Sequence, residues 1–211
     1  MKRHSAHGLA PALWIVTAAL LTQGCSGLLT SEQASKQYYL LAPVQGQAAT
    51  TGAMPSSRLS VQVSAIPGLD TDRILALGVD ARLQQYSNAR WPDHLPEVLA
   101  STLQRSLESS GWFDSVEVAD RATDGGWLLR LEAREFFGLR DAAGNTSSVR
   151  VALDGGIDCG GQRHHLKLRD APPVAEQRLA SVVAAHQSGL DTVTRQLLEH
   201  IALSCIKGGV E

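Results

Sequence analysis

The chain has 211 residues, 44% of them apolar, with 19 Lys and Arg against 21 Asp and Glu and a net charge of −2. That length and composition support one domain of ordinary size with a substantial core. The lack of a basic excess argues against a phosphate-backbone footprint, so nucleic acid is not an expected partner. Aromatic residues at 5% are too sparse for a platform that stacks bases or sugars.

Lys2 and Arg3 precede an apolar run from Leu9 to Leu21, broken only by Pro11 and Thr17. A basic start followed by roughly 7–15 apolar residues reads as a secretory signal. The run is shorter than the ~18 residues a membrane-spanning helix needs. Gly24-Cys25 closes it in a pattern that resembles the bacterial lipoprotein signal. The resemblance implies that residues 1–24 are removed and that Cys25 carries an N-acyl diglyceride lipid. A plain signal peptide with Cys25 as an ordinary thiol is the alternative. Each buried methylene contributes about 0.8 kcal/mol, and two or more chains anchor stably. Ser26 after the cysteine resembles the type sorted to the outer membrane.

Residues 25–36 are polar and small and read as a tether, spanning roughly 20 Å as a flexible coil. The domain is expected over 37–206. Tyr38-Tyr39-Leu40-Leu41 reads as a first strand, and 43–57 as a loose loop rich in Gln, Ala, Gly and Ser. Leu59, Val61 and Val63 alternate with polar residues as a half-buried strand ending at Ile66-Pro67-Gly68. Leu75-Ala76-Leu77 and Ala81–Tyr86 form a hairpin turned at Gly78. Asp93 is placed to cap a helix with Pro96 in its first turn, and Leu95, Val98, Leu99, Leu103 and Leu107 follow at helical spacing to a stop at Gly111. Val116 and Val118 suggest a short strand. Trp127–Phe137 sets Leu129, Leu131 and Ala133 against Arg130, Glu132 and Arg134, and Val149, Val151 and Leu153 repeat the pattern across a turn at Asp141–Asn145. A glycine turn from Gly155-Gly156 to Gly160-Gly161 leads to a strand over Gln162–Leu168. Leu190, Val193, Leu197, Leu198, Ile201 and Cys205 then form the apolar stripe of a long helix beginning after Pro173. The fold expected is α+β, a single domain with a mainly antiparallel sheet and two principal helices.

Cys159 and Cys205 are an even pair in a chain bound for an oxidising compartment. A disulfide closing a loop of some 45 residues is one reading. Two separate small residues, with Cys205 as a core hydrophobe, is the other.

Catalytic chemistry is not legible. His164 and His165 are adjacent, so on a strand they point to opposite faces and cannot readily chelate one metal together; Asp158-Cys159 nearby makes a zinc site one reading, against the preferred reading of a solvated turn. His186 and His200 lie close to four helical turns apart. Ser106, Ser109, Ser110 and Ser181 lack a nucleophile-elbow context, and no phosphate-binding glycine loop is present. No enzyme activity, metal or soluble cofactor is expected. Tyr86, Arg90 and Trp91 are the candidate partner surface, because Trp, Tyr and Arg concentrate in interface hot spots. The competing reading packs Trp91 under the first helix and leaves Arg90 solvated.

Tyr38-Tyr39-Leu40-Leu41 after a lipidation cysteine, the Leu59–Val63 strand, Pro67-x-Leu69-Asp70-x-Asp72-Arg73-Ile74, and Ala89-Arg90-Trp91 opening a helix together resemble the ABC-transport auxiliary lipoproteins of the PqiC and YmbA type. The resemblance runs from Gln37 to Cys205. It implies a non-catalytic lipoprotein on the periplasmic side of the outer membrane, serving an MCE-domain protein and its ABC transporter or permease in lipid transport. A homo-oligomer is compatible with that role. A different class of function remains open: an envelope scaffold or regulator that binds a cell-wall synthase or an outer-membrane assembly machine.

Overall fold

The computed structural model describes residues 35–45, 58–122 and 125–206. The signal peptide, Cys25, all but the end of the tether and most of the 43–57 loop lie outside the described residues.

Among the described residues eight strands and two helices follow in order: β1 (Gln37–Tyr38), β2 (Arg58–Ala65), β3 (Arg73–Leu77), β4 (Leu83–Arg90), α1 (Leu95–Ser109), β5 (Ser115–Val118), β6 (Trp127–Arg140), β7 (Thr146–Cys159), β8 (Gln162–Asp170) and α2 (Leu179–Ile201). A π-helical turn, Ala202–Ile206, continues α2. All strands share one sheet, and β6 is its axis. Along one side β6 pairs antiparallel with β7, which pairs antiparallel with β8. Along the other, the start of β6 runs parallel to β2, and its end runs parallel to β3. The sheet is therefore mixed, the long ladders being antiparallel and the connections to β2 and β3 parallel.

Both helices contribute to one continuous core. Leu99, Leu103 and Leu107 of α1, Leu190, Val193 and Leu197 of α2, and Leu59, Val61, Leu129, Ala133, Val151 and Leu153 of the sheet are all part of it. These are the positions that the 3.6 and 2.0 periodicities select. Alternate sheet residues, Arg130, Glu132 and Arg134 among them, stay exposed or half-buried.

Several expectations change in detail. The first strand is two residues long: Tyr39 N–H still donates to the Arg90 carbonyl of β4 at 2.9 Å, and from Ala42 the chain bonds to Gln187 of α2 and then, at Val44, to Ser106 of α1. Leu41 is buried there, and Tyr39 is half-buried while Tyr38 is exposed. Asp93 does not cap α1. His94 is the N-cap residue without a side-chain cap bond, and the Asp93 carboxylate accepts the His94 N–H at 2.8 Å. The β6 alternation shifts phase at a bulge between Ala133 and Glu135, which brings Phe136 into the core at 2% exposure. Gly155 and Gly156 are not a turn but the middle of β7, opposite Leu131 and Arg130. A Cβ on Gly155 would overlap the Arg130 carbonyl, so glycine here serves a close strand approach. The turn is Gly160-Gly161 alone, both residues at positive φ.

Candidate functional site

The motif residues Pro67–Ile74 and Ala89–Trp91 meet in space. Leu69 and Ile74 are buried, and between them the backbone receives the start of α1: Trp91 N–H donates to the Asp72 carbonyl at 2.7 Å, and Leu95 N–H to that of Thr71 at 3.1 Å. Arg90 is 13% exposed and pairs through Nε with the Asp72 carboxylate at 3.3 Å. His94 Nδ1 lies 2.9 Å from Asp70 Oδ1, and that hydrogen bond raises the imidazole pKa above its ordinary value. The conformation of this loop thus sets where α1 begins.

Trp91 does not belong to a surface. It is 1% exposed and packs edge-on against Phe136 and His186, with ring centroids 5.7 and 5.5 Å away. Arg90 is held in its ion pair rather than solvated. Of the three residues expected to form a partner surface, Tyr86 remains half-buried. Its hydroxyl is hydrogen-bonded to Thr146 Oγ1, and the Arg140 guanidinium stacks over its ring at 5.0 Å.

The polar face of the sheet carries a row of alternating charges. Arg163 and Arg130 both bind Asp158, at 2.7 and 3.0 Å. Arg134 binds Glu132 at 2.7 Å, and Arg169 binds Asp154 at 2.6 Å. The hydrogen bond from Arg163, opposed by partial burial, holds the Asp158 carboxyl below the usual carboxylate range. A shallow depression of about 310 Å³ among Gln62, Ser64, Arg130, Glu132, Arg134 and Asp154 is lined by these engaged groups. The carboxylates here are held by guanidinium groups. Such exposed pairs are worth little individually and present a mixed-charge surface. Ser106 of α1 and its C-cap Ser110 donate to the Thr102 and Leu107 carbonyls at 2.8 and 2.6 Å, and Ser109 donates to the Val44 carbonyl at 2.9 Å.

Three glutamines act as surrogate backbone. Gln187 accepts from Ala42 N–H at 2.8 Å and donates to the Ala42 carbonyl at 2.9 Å. Gln177 does the same for Thr146 at 2.9 and 3.2 Å, and Gln196 for Arg169 at 3.2 and 3.1 Å. A primary amide carries the donor and acceptor of a peptide unit, so each closes a backbone group that no strand reaches. Their sequence separations of 145, 31 and 27 residues leave no local signal.

Cys159 and Cys205 are joined, with Cα atoms 5.8 Å apart. The bond ties the end of β7 to the π-helical turn after α2. His164 lies beside it: its ring and the two sulfurs place one ligand atom each within 4.8 Å of one another. Cys25 lies outside the described residues. No helix among the described residues is long and apolar enough to cross a membrane.

Two crystal structures are similar in fold. Protein XCC0632 from Xanthomonas campestris, of the DUF330 family, is 20% identical with a TM-score of 0.68, and the match covers 83% of this chain and 100% of that one. An uncharacterized protein is 17% identical with a TM-score of 0.61, and the match covers 79% of this chain and 99% of that one. No curated protein sequence matches. The model of the ABC-type transport auxiliary lipoprotein components matches residues 39–198, from the second tyrosine of the pair through the loop that seats α1 to the last turns of α2. The chain belongs to that family of auxiliary lipoproteins.

Proposed function

We propose that this protein is a non-catalytic adaptor of an MCE-type lipid transport system. Lipid on Cys25 holds it to the periplasmic side of the outer membrane, and the folded domain receives the periplasm-spanning MCE protein whose inner-membrane ABC transporter or permease supplies the work. The observation that carries the proposal is the family match over residues 39–198. The domain's chemistry agrees with it: the ion pairs of the polar face engage each other, and the helix serines are spent on backbone carbonyls. The adaptor's task is to present a rigid face at a distance set by the tether, roughly 20 Å for a dozen flexible residues.

Affinity purification of the C-terminally tagged protein from detergent-solubilised envelopes, after mild crosslinking, tests this. Recovery of an MCE-domain protein with a permease or ATPase is the expected result. Recovery of cell-wall synthases or outer-membrane assembly proteins in their place would refute the transport role. Cys25→Ala should abolish fractionation with the outer membrane while leaving the domain's thermal transition unchanged. A Cys25→Ala protein that still fractionates there and complements fully would refute the anchor.

A further inference from the structure

The disulfide between the end of β7 and the turn after α2 carries chemistry that does not depend on the transport role. We propose that Cys159, Cys205 and His164, when the two cysteines are thiols, form a three-ligand site for a borderline-soft divalent cation of the zinc type. The three side chains come from three elements that converge. Cys159 is the last residue of β7, His164 sits on β8 opposite Ile157, and Cys205 lies in the π-helical turn. On β8, Leu166 and Leu168 are buried and share the face of His164, whereas Arg163, His165 and Lys167 point the other way. His164 therefore faces the sulfurs, and His165 does not. The sequence argument that two adjacent histidines cannot chelate together still holds; the partners of His164 are cysteines from elsewhere in the chain.

The chemistry suits the geometry. Thiolate sulfur and imidazole nitrogen are the donors that zinc prefers, at about 2.3 and 2.0 Å from the metal. A tetrahedral centre with those bond lengths needs donors about 3.5–3.8 Å apart. The ligand atoms here lie within 4.8 Å of one another. The sulfurs are free to part once the bond between them is absent. Three protein ligands leave the fourth position to water, the arrangement of an open rather than a closed zinc site. Cys159 is buried, and His164 and Cys205 are half-buried, so the site is sheltered and still reachable. The π-helical turn places Cys205 there; such turns often occur at functional positions.

The metal and the disulfide exclude each other. In a newly made chain both cysteines are thiols, and binding of the cation displaces their two protons to give two thiolates. In a chain already closed, a dithiol reductant must first transfer two electrons and two protons to the bond, becoming a disulfide itself. Closure by a disulfide-bearing oxidant, which takes two electrons from the thiolates and two protons from solvent and is left as a dithiol, in turn releases the cation.

Zinc(II) binding to the full-length protein in detergent tests the proposal. The protein is reduced, freed of reductant under anaerobic conditions and titrated with zinc in competition with a chromophoric chelator. The expected result is one zinc per reduced chain, none above background in the oxidised chain, and at least tenfold weaker binding in His164→Ala. Cobalt(II) in place of zinc should give a sulfur-to-metal charge-transfer band that Cys205→Ser abolishes. His164→Asn serves as a second variant if His164→Ala does not fold. Equal zinc uptake by reduced and oxidised protein would overturn the site, as would undiminished affinity in the folded His164 variant. Undiminished affinity in Cys205→Ser would assign the metal to another thiol and overturn it equally.

Discussion

Mild acid should destabilise this domain through one residue, His186. Its ring is buried between Trp91 and Phe136, with centroids 5.5 and 4.9 Å away. Nδ1 lies 2.9 Å from the Val182 carbonyl, and Nε2 has no hydrogen-bond partner among the described residues. Burial pushes the imidazole pKa down from 6.5 to about 4, against the bond to Val182, which favours the charged form. An unfolded chain takes up this proton near pH 6.5, whereas the folded one resists until about pH 4. The unfolded state therefore binds more protons across that window, and stability rises with pH through it. At about 1.4 kcal/mol per pKa unit, the whole effect is about 3 kcal/mol, fully present above pH 6.5 and lost by pH 4. From pH 7 to pH 5 the loss should be about 2 kcal/mol. Two other shifted groups do not mimic it. His94 is exposed and its pKa is raised by Asp70, so its contribution has the opposite sign, favouring the fold at low pH and fading as pH rises. The depressed Asp158 loses its contribution only at pH values within and below the carboxylate range. Urea-unfolding midpoints at pH 7 and pH 5, for the parent and for His186→Phe, read the effect directly. The parent should lose about 2 kcal/mol, and the variant should lose only a few tenths of that kind of pH dependence. An equal loss in both proteins would refute the assignment to His186.

Trp91→Ala should cost about 3–5 kcal/mol in the same urea assay, the range for truncating a buried aromatic, because the ring is 1% exposed. Near-parent stability would contradict its place in the core. Gly155→Ala should cost about 3 kcal/mol or more, since the added methyl meets the Arg130 backbone rather than a side chain that could move; a soluble variant with the parent's melting temperature would contradict the close approach. Cys205→Ser opens a loop with a sequence separation of 46 and should cost roughly 4 kcal/mol on the chain-entropy account, measured by calorimetry under non-reducing conditions. Gln196→Ala removes two hydrogen bonds to Arg169 and should cost about 1–2 kcal/mol. Because β8 pairs only with β7 among the described strands, the same change should increase association through that edge, visible as concentration-dependent sedimentation.

What the sequence discloses and conceals divides along a physical line. Helix α1 and the β6–β7 hairpin are legible because a buried face repeats at the period of its own backbone. Leu95, Val98, Leu99 and Leu103 at helical spacing, or Leu129, Leu131 and Ala133 at strand spacing, each require only that one side of an element be dry. Pairing direction has no such signature. Whether β2 lies parallel to β6 depends on where the intervening chain crosses, and β2 alternates in the same way for either direction. The phase shift at the Ala133/Glu135 bulge hides for a related reason: Phe136 and Phe137 are both apolar, and both are buried, so the pattern fits either register. Gly155-Gly156 reads as a turn because glycine suits a turn locally, while the constraint that selects it comes from Arg130 on a neighbouring strand.

The candidate surface fails on the same ground. Tryptophan is as suited to a core as to an interface, and only the position of Phe136 and His186 around Trp91 decides between them. The family motif does carry information, but of a structural kind. Asp72 and Arg90 are 18 positions apart in the chain and 3.3 Å apart in space, and Asp70 reaches His94 in the same way. Each pair joins the Leu69–Ile74 loop to the entry of α1. These residues build no cleft; they hold the start of α1 against the loop. Gln187 and Gln196 on α2 and Gln177 just before it close backbone groups of distant segments, and their work is invisible to any local pattern because such an amide looks solvated until the segment it serves is in place. Stability in this domain is thus local where faces repeat and long-range where elements end, as where the Cys159–Cys205 bond ties the end of β7 to the turn after α2.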